Sequence, residues 1–149
     1  MPITIKHSPV TDAWHAAILS HARVTRRLDH DLREQFGLTL GWYEVLLLLA
    51  SAEGHTLRMH ELAEGMILSK SAATRLVDRL ERRGLVTRAI CDQDRRGMEV
   101  GLTEEGRDVF LAAGRLHYRG IQEHFGAHLS AGELATITDA LTRVAEANR

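Results

Sequence analysis

The feature that most constrains the fold is a change in the spacing of the apolar residues at Gly84. Before this glycine, four apolar residues recur at i, i+3, i+4 and i+7, the spacing of one buried helix face: Ala73, Leu76, Val77 and Leu80. After it, residues 85–90 and 98–102 have the composition of short strands and flank a polar loop. We therefore predict a helix that ends at Gly84 and leads directly into a β-hairpin.

A short helix precedes this one and makes the pair a helix-turn-helix. Leu62, Ala63 and Met66 indicate the first helix, and residues 65–68 form the turn. Ser69 is a suitable N-cap for the second helix. Two helices joined by so short a turn are typical of DNA-binding proteins, although many purely structural helix pairs look similar.

Four further helices account for the rest of the chain. A long helix is capped by Thr11-Asp12 and ends near Gly37, and the helix after Thr39 is apolar on most sides. Another follows Thr103 to about residue 125, and Ser130 opens the last through a capping box. With 149 residues, the chain fits one mainly α domain with a small β-hairpin.

The charge distribution points to a polyanionic partner. The formal net charge is only −1, but residues 69–96 contain eight basic and four acidic side chains, a local charge of +4. A basic block within an otherwise acidic domain is expected of a protein that binds nucleic acid. The alternative is a solvated helix face whose charges are paired, and on charge alone the two interpretations are equally supported.

The outward face of the second helix carries groups that suit DNA. Ser71, Thr74 and Arg75 lie near its N-terminus, from where such side chains can reach base edges in a major groove. Lys70 and Arg79 are placed for phosphates, and the backbone N–H groups after Ser69 favour an anion. Asp78 lies on the same predicted face.

The hairpin loop carries a second set of candidates, Asp94, Arg95 and Arg96. An arginine at a hairpin tip can follow the phosphate backbone and enter the neighbouring minor groove. Asp94 can orient a neighbouring arginine by a charge-assisted hydrogen bond. The alternative is a surface Asp–Arg pair that contributes about 0–1 kcal/mol to stability.

Together these features resemble the MarR family of winged-helix transcription regulators. The resemblance covers residues 40–106, where "LERRGLVTR", "DQDRR" and "LTEEG" match the family pattern and its Asp-x-Arg motif falls on Asp94 and Arg96. It implies a winged helix-turn-helix lobe over about residues 38–103 and dimerisation helices over about 10–37 and 104–149. It also implies a homodimer in which each lobe contacts half of a pseudo-palindromic double-stranded operator. In the implied complex with DNA, Arg96 enters the minor groove and Asp94 orients the Arg96 side chain, while Arg95 contacts a phosphate or the minor groove.

The resemblance further implies a repressor that a small anionic or phenolic ligand releases from DNA. The candidate pocket residues are aromatic, aliphatic and imidazole side chains of the first two helices: Trp14, Ile18, His21, Trp42 and Tyr43. Side chains at helical spacing are more often ordinary core residues, and that alternative stays open.

Other functions are less well supported by the sequence. Some family members sense zinc or oxidants, which brings in His117, His124 and His128 or the single Cys91. Zinc sites need three or four ligands, and the acidic neighbour Asp92 disfavours a thiolate. There is no recognisable catalytic triad, phosphate loop or cofactor motif, so we expect no enzyme. A helical interaction protein without DNA binding is a further alternative.

The expected setting is the cytoplasm. One cysteine excludes an internal disulfide, and the N-terminus lacks the apolar segment of a secretory signal. The longest apolar run, residues 45–50, is far shorter than the roughly 20 residues that a membrane span needs.

Overall fold

The computed structural model describes residues 8–90 and 97–149. Within them the chain forms six α-helices and a small antiparallel sheet, so the predicted mainly α class with a β-hairpin is confirmed. The helices are α1 (Pro9–Phe36), α2 (Leu40–Ser51), α3 (Met59–Gly65), α4 (Lys70–Arg82), α5 (Glu104–His124) and α6 (Ala131–Ala147). The strands are β1 (Thr56–Arg58), β2 (Val86–Ile90) and β3 (Met98–Leu102). None of these helices is both long and apolar enough to cross a bilayer.

Most helix ends lie where the capping residues predict them, but the predicted cap of the first helix, Thr11-Asp12, is wrong. α1 begins at Pro9, a residue favoured in the first turn, and the Ser8 hydroxyl accepts a hydrogen bond from the Thr11 N–H (3.2 Å). The Thr39 hydroxyl accepts a hydrogen bond from the Trp42 N–H (3.1 Å), and the Ser69 hydroxyl accepts one from Ala72 (3.2 Å). Gly37 and Gly84 follow α1 and α4 with φ of 62° and 73°, the left-handed conformation that glycine adopts without steric cost. Local sequence therefore determines where most of these helices begin and end.

The sheet contains one strand that the apolar pattern does not predict. Its order is β1-β3-β2, and β1 pairs antiparallel with β3 through Thr56↔Gly101, Leu57↔Val100 and Arg58↔Glu99. β1 has only three residues, too few for an alternating pattern to stand out. Pairing along both edges places β3 at the centre, and its Val100 is fully buried.

The described chain divides into two compact units. We call residues 29–117 the winged unit and residues 8–28 with 118–149 the terminal unit. The winged unit contains α2–α4, the sheet and one end each of α1 and α5. The terminal unit contains the other ends of α1 and α5 together with α6.

The core of the winged unit is aliphatic and nearly closed. Fully buried side chains come from α1, the connection between α1 and α2, α2, α3, α4 and β3: Leu32, Leu38, Val45, Leu46, Leu49, Leu62, Val77, Leu80 and Val100. Gly106 is required here, because a Cβ atom at this position would lie 2.0 Å from the Leu85 carbonyl oxygen. The start of α5 therefore packs directly on the backbone that joins α4 to β2.

The terminal unit buries far less apolar surface. Within residues 8–28 and 118–149, Leu28 is the one apolar side chain that is buried, and its Cδ2 would lie 2.6 Å from a Cβ at Gly120. Large apolar side chains on all three helices are instead exposed: Val10, Trp14, Ile18, Leu19, Tyr118, Leu141 and Val144.

Candidate nucleic-acid interface

The second helix of the helix-turn-helix, α4, has two chemically distinct faces. Ala73, Val77 and Leu80 are fully buried and attach the helix to the core of the winged unit. Most of the predicted DNA-contacting side chains lie on the opposite face and are exposed: Ser69, Lys70, Ser71, Arg75 and Arg79. Thr74 is half-buried. The helical spacing of the apolar residues thus assigns the two faces correctly.

Three of these side chains are cations without an ion-pair partner in the part of the chain that the structure describes. Within residues 8–90 and 97–149, Lys70, Arg75 and Arg79 have no ion-pair partner. The Ser71 hydroxyl lies 3.2 Å from the Ser69 hydroxyl, and the Thr74 hydroxyl donates to the Lys70 carbonyl (2.8 Å). Thr74 therefore uses its proton locally and presents an acceptor.

A single arginine pairs with both acidic groups of α4 and offsets part of their charge. Arg88 on β2 donates to Glu81 through Nε (3.0 Å) and Nη2 (2.6 Å), and its Nη1 lies 2.6 Å from Asp78 Oδ1. The hydrogen bond with Glu81 is the main reason why the pKa of Arg88 is raised above its ordinary value. Both carboxylates are thereby held by β2, which lowers their repulsion of a bound polyanion. The sequence did not predict this contact.

Another basic residue of the charged block contacts the end of α1. Arg83 donates to the carbonyls of Gly37 (2.7 Å) and Phe36 (3.3 Å), which lie at the end of α1. Its guanidinium carbon also lies 5.6 Å from the centre of the Trp42 ring, a cation–π distance. The local charge of +4 counted over residues 69–96 is therefore larger than the charge on the outward face of α4.

The predicted pocket residues of α2 occupy the winged unit. Tyr43 is buried and stacks on Phe110 at 5.6 Å, and its ring centre lies 4.5 Å from that of His117. Burial raises the pKa of Tyr43 and lowers the pKa of His117. Within the described residues, His117 Nδ1 and Trp42 Nε1 are buried without a hydrogen-bond partner.

The predicted pocket residues of α1 belong to the terminal unit. Trp14 and Ile18 are 66% and 47% exposed. His21 lines a largely apolar cavity of about 640 Å³ between α1, the end of α5 and α6. A neighbouring cavity of about 500 Å³ is lined by Arg23, Val24, Arg26, Arg27, His124 and His128.

The remaining predicted residues concern the hairpin tip and the sensors. Asp94, Arg95, Arg96 and Cys91 lie outside the described residues, whereas the strands on either side pair up to Ile90↔Met98. Across residues 8–90 and 97–149, no three His, Cys, Asp or Glu side chains converge as metal ligands would.

Comparison with known proteins decides the family. The sequence profile of the MarR family matches residues 36–97. The MarR-family regulator AbsC of Streptomyces coelicolor superposes with a TM-score of 0.89 at 33% identity over 98% of this chain and 99% of its own. This chain belongs to the MarR family.

Two further members of the comparison, one a solved structure and one a curated repressor, are also similar to this chain. The MarR-family regulator Sco3205 of S. coelicolor, crystallised in complex with DNA, superposes with a TM-score of 0.89 at 26% identity. The superposition covers 98% of this chain and 91% of Sco3205. The repressor YetL of Bacillus subtilis is 34% identical over 92 residues, 60% of this chain, and the chain spans only about half (55%) of its length. MarR membership confirms the predicted class of transcriptional regulator, which is not a class of enzymes.

Proposed function

We propose that this protein is a homodimeric transcription regulator that binds a double-stranded DNA operator through α4. The observation that carries the proposal is the exposed face of α4, where Lys70, Arg75 and Arg79 have no ion-pair partner among the described residues. Cations left unneutralised on one helix face attract a polyanion and release its counterions on binding. The complex of the related Sco3205 with DNA supports the same partner for this chain.

The N-terminal half of α4 enters the major groove in this proposal. Arg75 can donate two hydrogen bonds to the O6 and N7 atoms of a guanine. The Ser71 hydroxyl can donate to or accept from a neighbouring base edge, whereas the Thr74 oxygen can only accept. Lys70 and Arg79 contact phosphates on the two sides of the groove. Arg88 holds Asp78 and Glu81 so that neither carboxylate is left facing the phosphates unpaired.

The hairpin tip supplies the minor-groove contact in the proposal. Its support is the sequence motif, in which Asp94 precedes Arg96 by two residues and Arg95 lies between them. The paired strands β2 and β3 lead to this tip from the same unit that contains α4. One protein unit would then contact both grooves of one half-site.

The terminal unit supports the homodimer. Val10, Trp14 and Ile18 follow one another four residues apart on α1 and are all exposed, as are Leu141 and Val144 on α6. Exposed apolar stripes of this extent mark surfaces that another chain covers. A second copy brings two α4 helices to one duplex, which suits a pseudo-palindromic operator.

Regulation by a small anionic or phenolic ligand, with repression as the default state, completes the proposal. The basic cavity of the terminal unit, with Arg23, Arg26 and Arg27 on one side, supports an anionic ligand. The name of the related repressor YetL supports the sign of regulation. Such a regulator would act in the cytoplasm, where its operator lies.

The first test is whether the purified dimer selects DNA fragments from the source genome, followed by fluorescence anisotropy on the recovered operator. Arg75→Ala should weaken operator binding by about 1–3 kcal/mol and relax the base preference at one position. Lys70→Ala should weaken all sequences alike and lower the slope of log K against log salt by about 1.

Arg33→Ala is the matched control. It removes an arginine of the same unit that already pairs with Asp29 (2.6 Å), and it should leave operator affinity unchanged. Failure to recover any preferred sequence, or equal losses in the Arg33 and Arg75 variants, would contradict the proposed DNA-binding function.

A further inference from the structure

The turn between α3 and α4 contains a residue in an unfavourable conformation. Ile67 has a φ of +55°. A positive φ is a genuine outlier for a β-branched residue, because its Cβ substituents crowd the backbone. Conformations of this kind cost of order 1–3 kcal/mol and tend to occur at functional sites.

The backbone of the turn explains why some residue must adopt this conformation. The Ile67 N–H donates to the Glu64 carbonyl and the Leu68 N–H to the Ala63 carbonyl, both at 3.0 Å. This pair of bonds is the Schellman motif, which ends a helix and requires a left-handed residue at the position of Ile67. Gly37 and Gly84 hold the left-handed position after α1 and α4. After α3 the chain has isoleucine where glycine is the usual choice.

The side chain of Ile67 gains nothing from packing within the winged unit. It is 93% exposed, the most exposed of the large apolar side chains in the described residues. The fold therefore carries both the backbone strain and an apolar group in water, with no buried contact to offset them. Glycine at this position would satisfy the same hydrogen bonds without either cost.

The location of Ile67 indicates what it contacts. It lies two residues before Ser69, the N-cap of α4, and therefore next to the end of α4 from which Lys70 and Ser71 project. The major groove presents an apolar group at each thymine, the C5-methyl. The sugar–phosphate backbone that borders the groove adds the apolar faces of its deoxyribose rings. An aliphatic side chain at this edge of the DNA-binding face can pack against these apolar groups, whereas a charged phosphate offers it no favourable contact.

We propose that Ile67 is a DNA-contacting residue that makes an apolar contact with a thymine methyl or a deoxyribose when α4 occupies the groove. This inference rests on the proposed DNA-binding function. It adds an apolar contact to an interface whose other predicted members are all polar or charged. It also gives a reason why a strained isoleucine occupies a turn that glycine would fit.

The test compares Ile67→Gly and Ile67→Asn with the unsubstituted protein on the genomic operator recovered above and on a random duplex of equal length. Both replacements tolerate a positive φ, so the thermal midpoint should stay the same or rise. Operator affinity should nevertheless fall roughly tenfold, because apolar contact equivalent to about two methylene groups is lost. Ile67→Val, which keeps the β-branch and loses one methylene group, should lower operator affinity by at most about fourfold.

A second arm identifies the apolar group on the DNA. If the contact is a thymine methyl, an operator with uracil in place of thymine should weaken the wild type and leave Ile67→Gly nearly unaffected. If it is a deoxyribose, the uracil operator should bind as well as the thymine operator, and Ile67→Gly should lose affinity for the random duplex too.

The outcomes separate the two levels of the proposal. Unchanged operator affinity in both Ile67→Gly and Ile67→Asn would overturn the contact while leaving the DNA-binding function intact. A fall in the thermal midpoint together with the affinity would also overturn it, since the residue would then be structural. If the wild type itself selects no DNA sequence, the proposed function fails before Ile67 is tested.

Discussion

The winged unit and the terminal unit bury their apolar residues to very different extents. The winged unit contains a cluster of buried side chains from α1–α5 and the sheet, with Leu46 and Val100 fully inaccessible. The terminal unit has one buried apolar side chain, Leu28, within its described residues. Its helices expose Trp14 and Ile18 on α1 and Val144 on α6.

This difference separates two ways of stabilising helices. Most of the stability of a helix in a protein comes from packing of its apolar face and not from intrinsic propensity. The helices of the winged unit have that packing within their own unit. Those of the terminal unit lack it, so the apolar stripe on α1 needs the second copy that the proposed homodimer provides.

The largest expected effect concerns the core of the winged unit. Leu46→Ala should lower the free energy of unfolding by about 2–5 kcal/mol, because it leaves a cavity in a closed core. Leu47→Ala is the matched control on the next residue of α2, which is 40% exposed, and should cost less than about 1 kcal/mol. Denaturant titration measures both, and similar losses would mean that the winged unit has no closed core around α2.

An intermediate effect is expected in the terminal unit. Ile18→Asp places a charge in the exposed apolar stripe of α1 and should weaken dimerisation by about 1–3 kcal/mol, as loss of a central interface side chain does. Sedimentation velocity gives the dissociation constant, and the thermal midpoint should become more dependent on protein concentration. Leu47→Asp, a charge at an exposed leucine of the winged unit, should leave the dimer unchanged. A wild-type monomer would refute the homodimer.

The smallest effect concerns pH and His117. Because burial lowers its folded-state pKa below the ordinary 6.5, the folded state prefers the neutral imidazole. This contribution to stability is complete above pH 6.5 and is lost as the pH falls below that value. His117→Phe should therefore reduce the drop in thermal midpoint between about pH 7.5 and about pH 5.5. His60→Gln, at an exposed histidine of α3, should retain the wild-type drop.

Much of the winged unit is predictable because its signals are local. The period change at Gly84, the caps at Thr39 and Ser69 and the buried face of α4 each depend on residues a few positions apart. The exposed basic face of α4 follows from the same helical period. β1 escaped prediction because three residues carry too little pattern and the strand exists through its pairing with β3.

The partners of the arginines were not predictable in this way. Arg83 and Arg88 contribute equally to the basic block in sequence, yet one caps α1 and the other holds Asp78 and Glu81. Arg83 is 46 residues from Gly37, and Arg88 reaches Asp78 only because the chain reverses at Gly84. No periodicity within one element encodes such contacts.

The sequence by itself determined the helices, most of their caps, the hairpin, the MarR resemblance and the face of α4 that carries positive charge. These features depend on short-range backbone sterics and on apolar spacing, both of which can be read along the chain. Only the tertiary structure decided which charges are already neutralised, which apolar residues remain exposed in the terminal unit, and that Ile67 occupies a left-handed turn beside α4. These depend on which distant groups meet when the units fold, because ion pairs and burial are set by three-dimensional neighbours and not by sequence spacing.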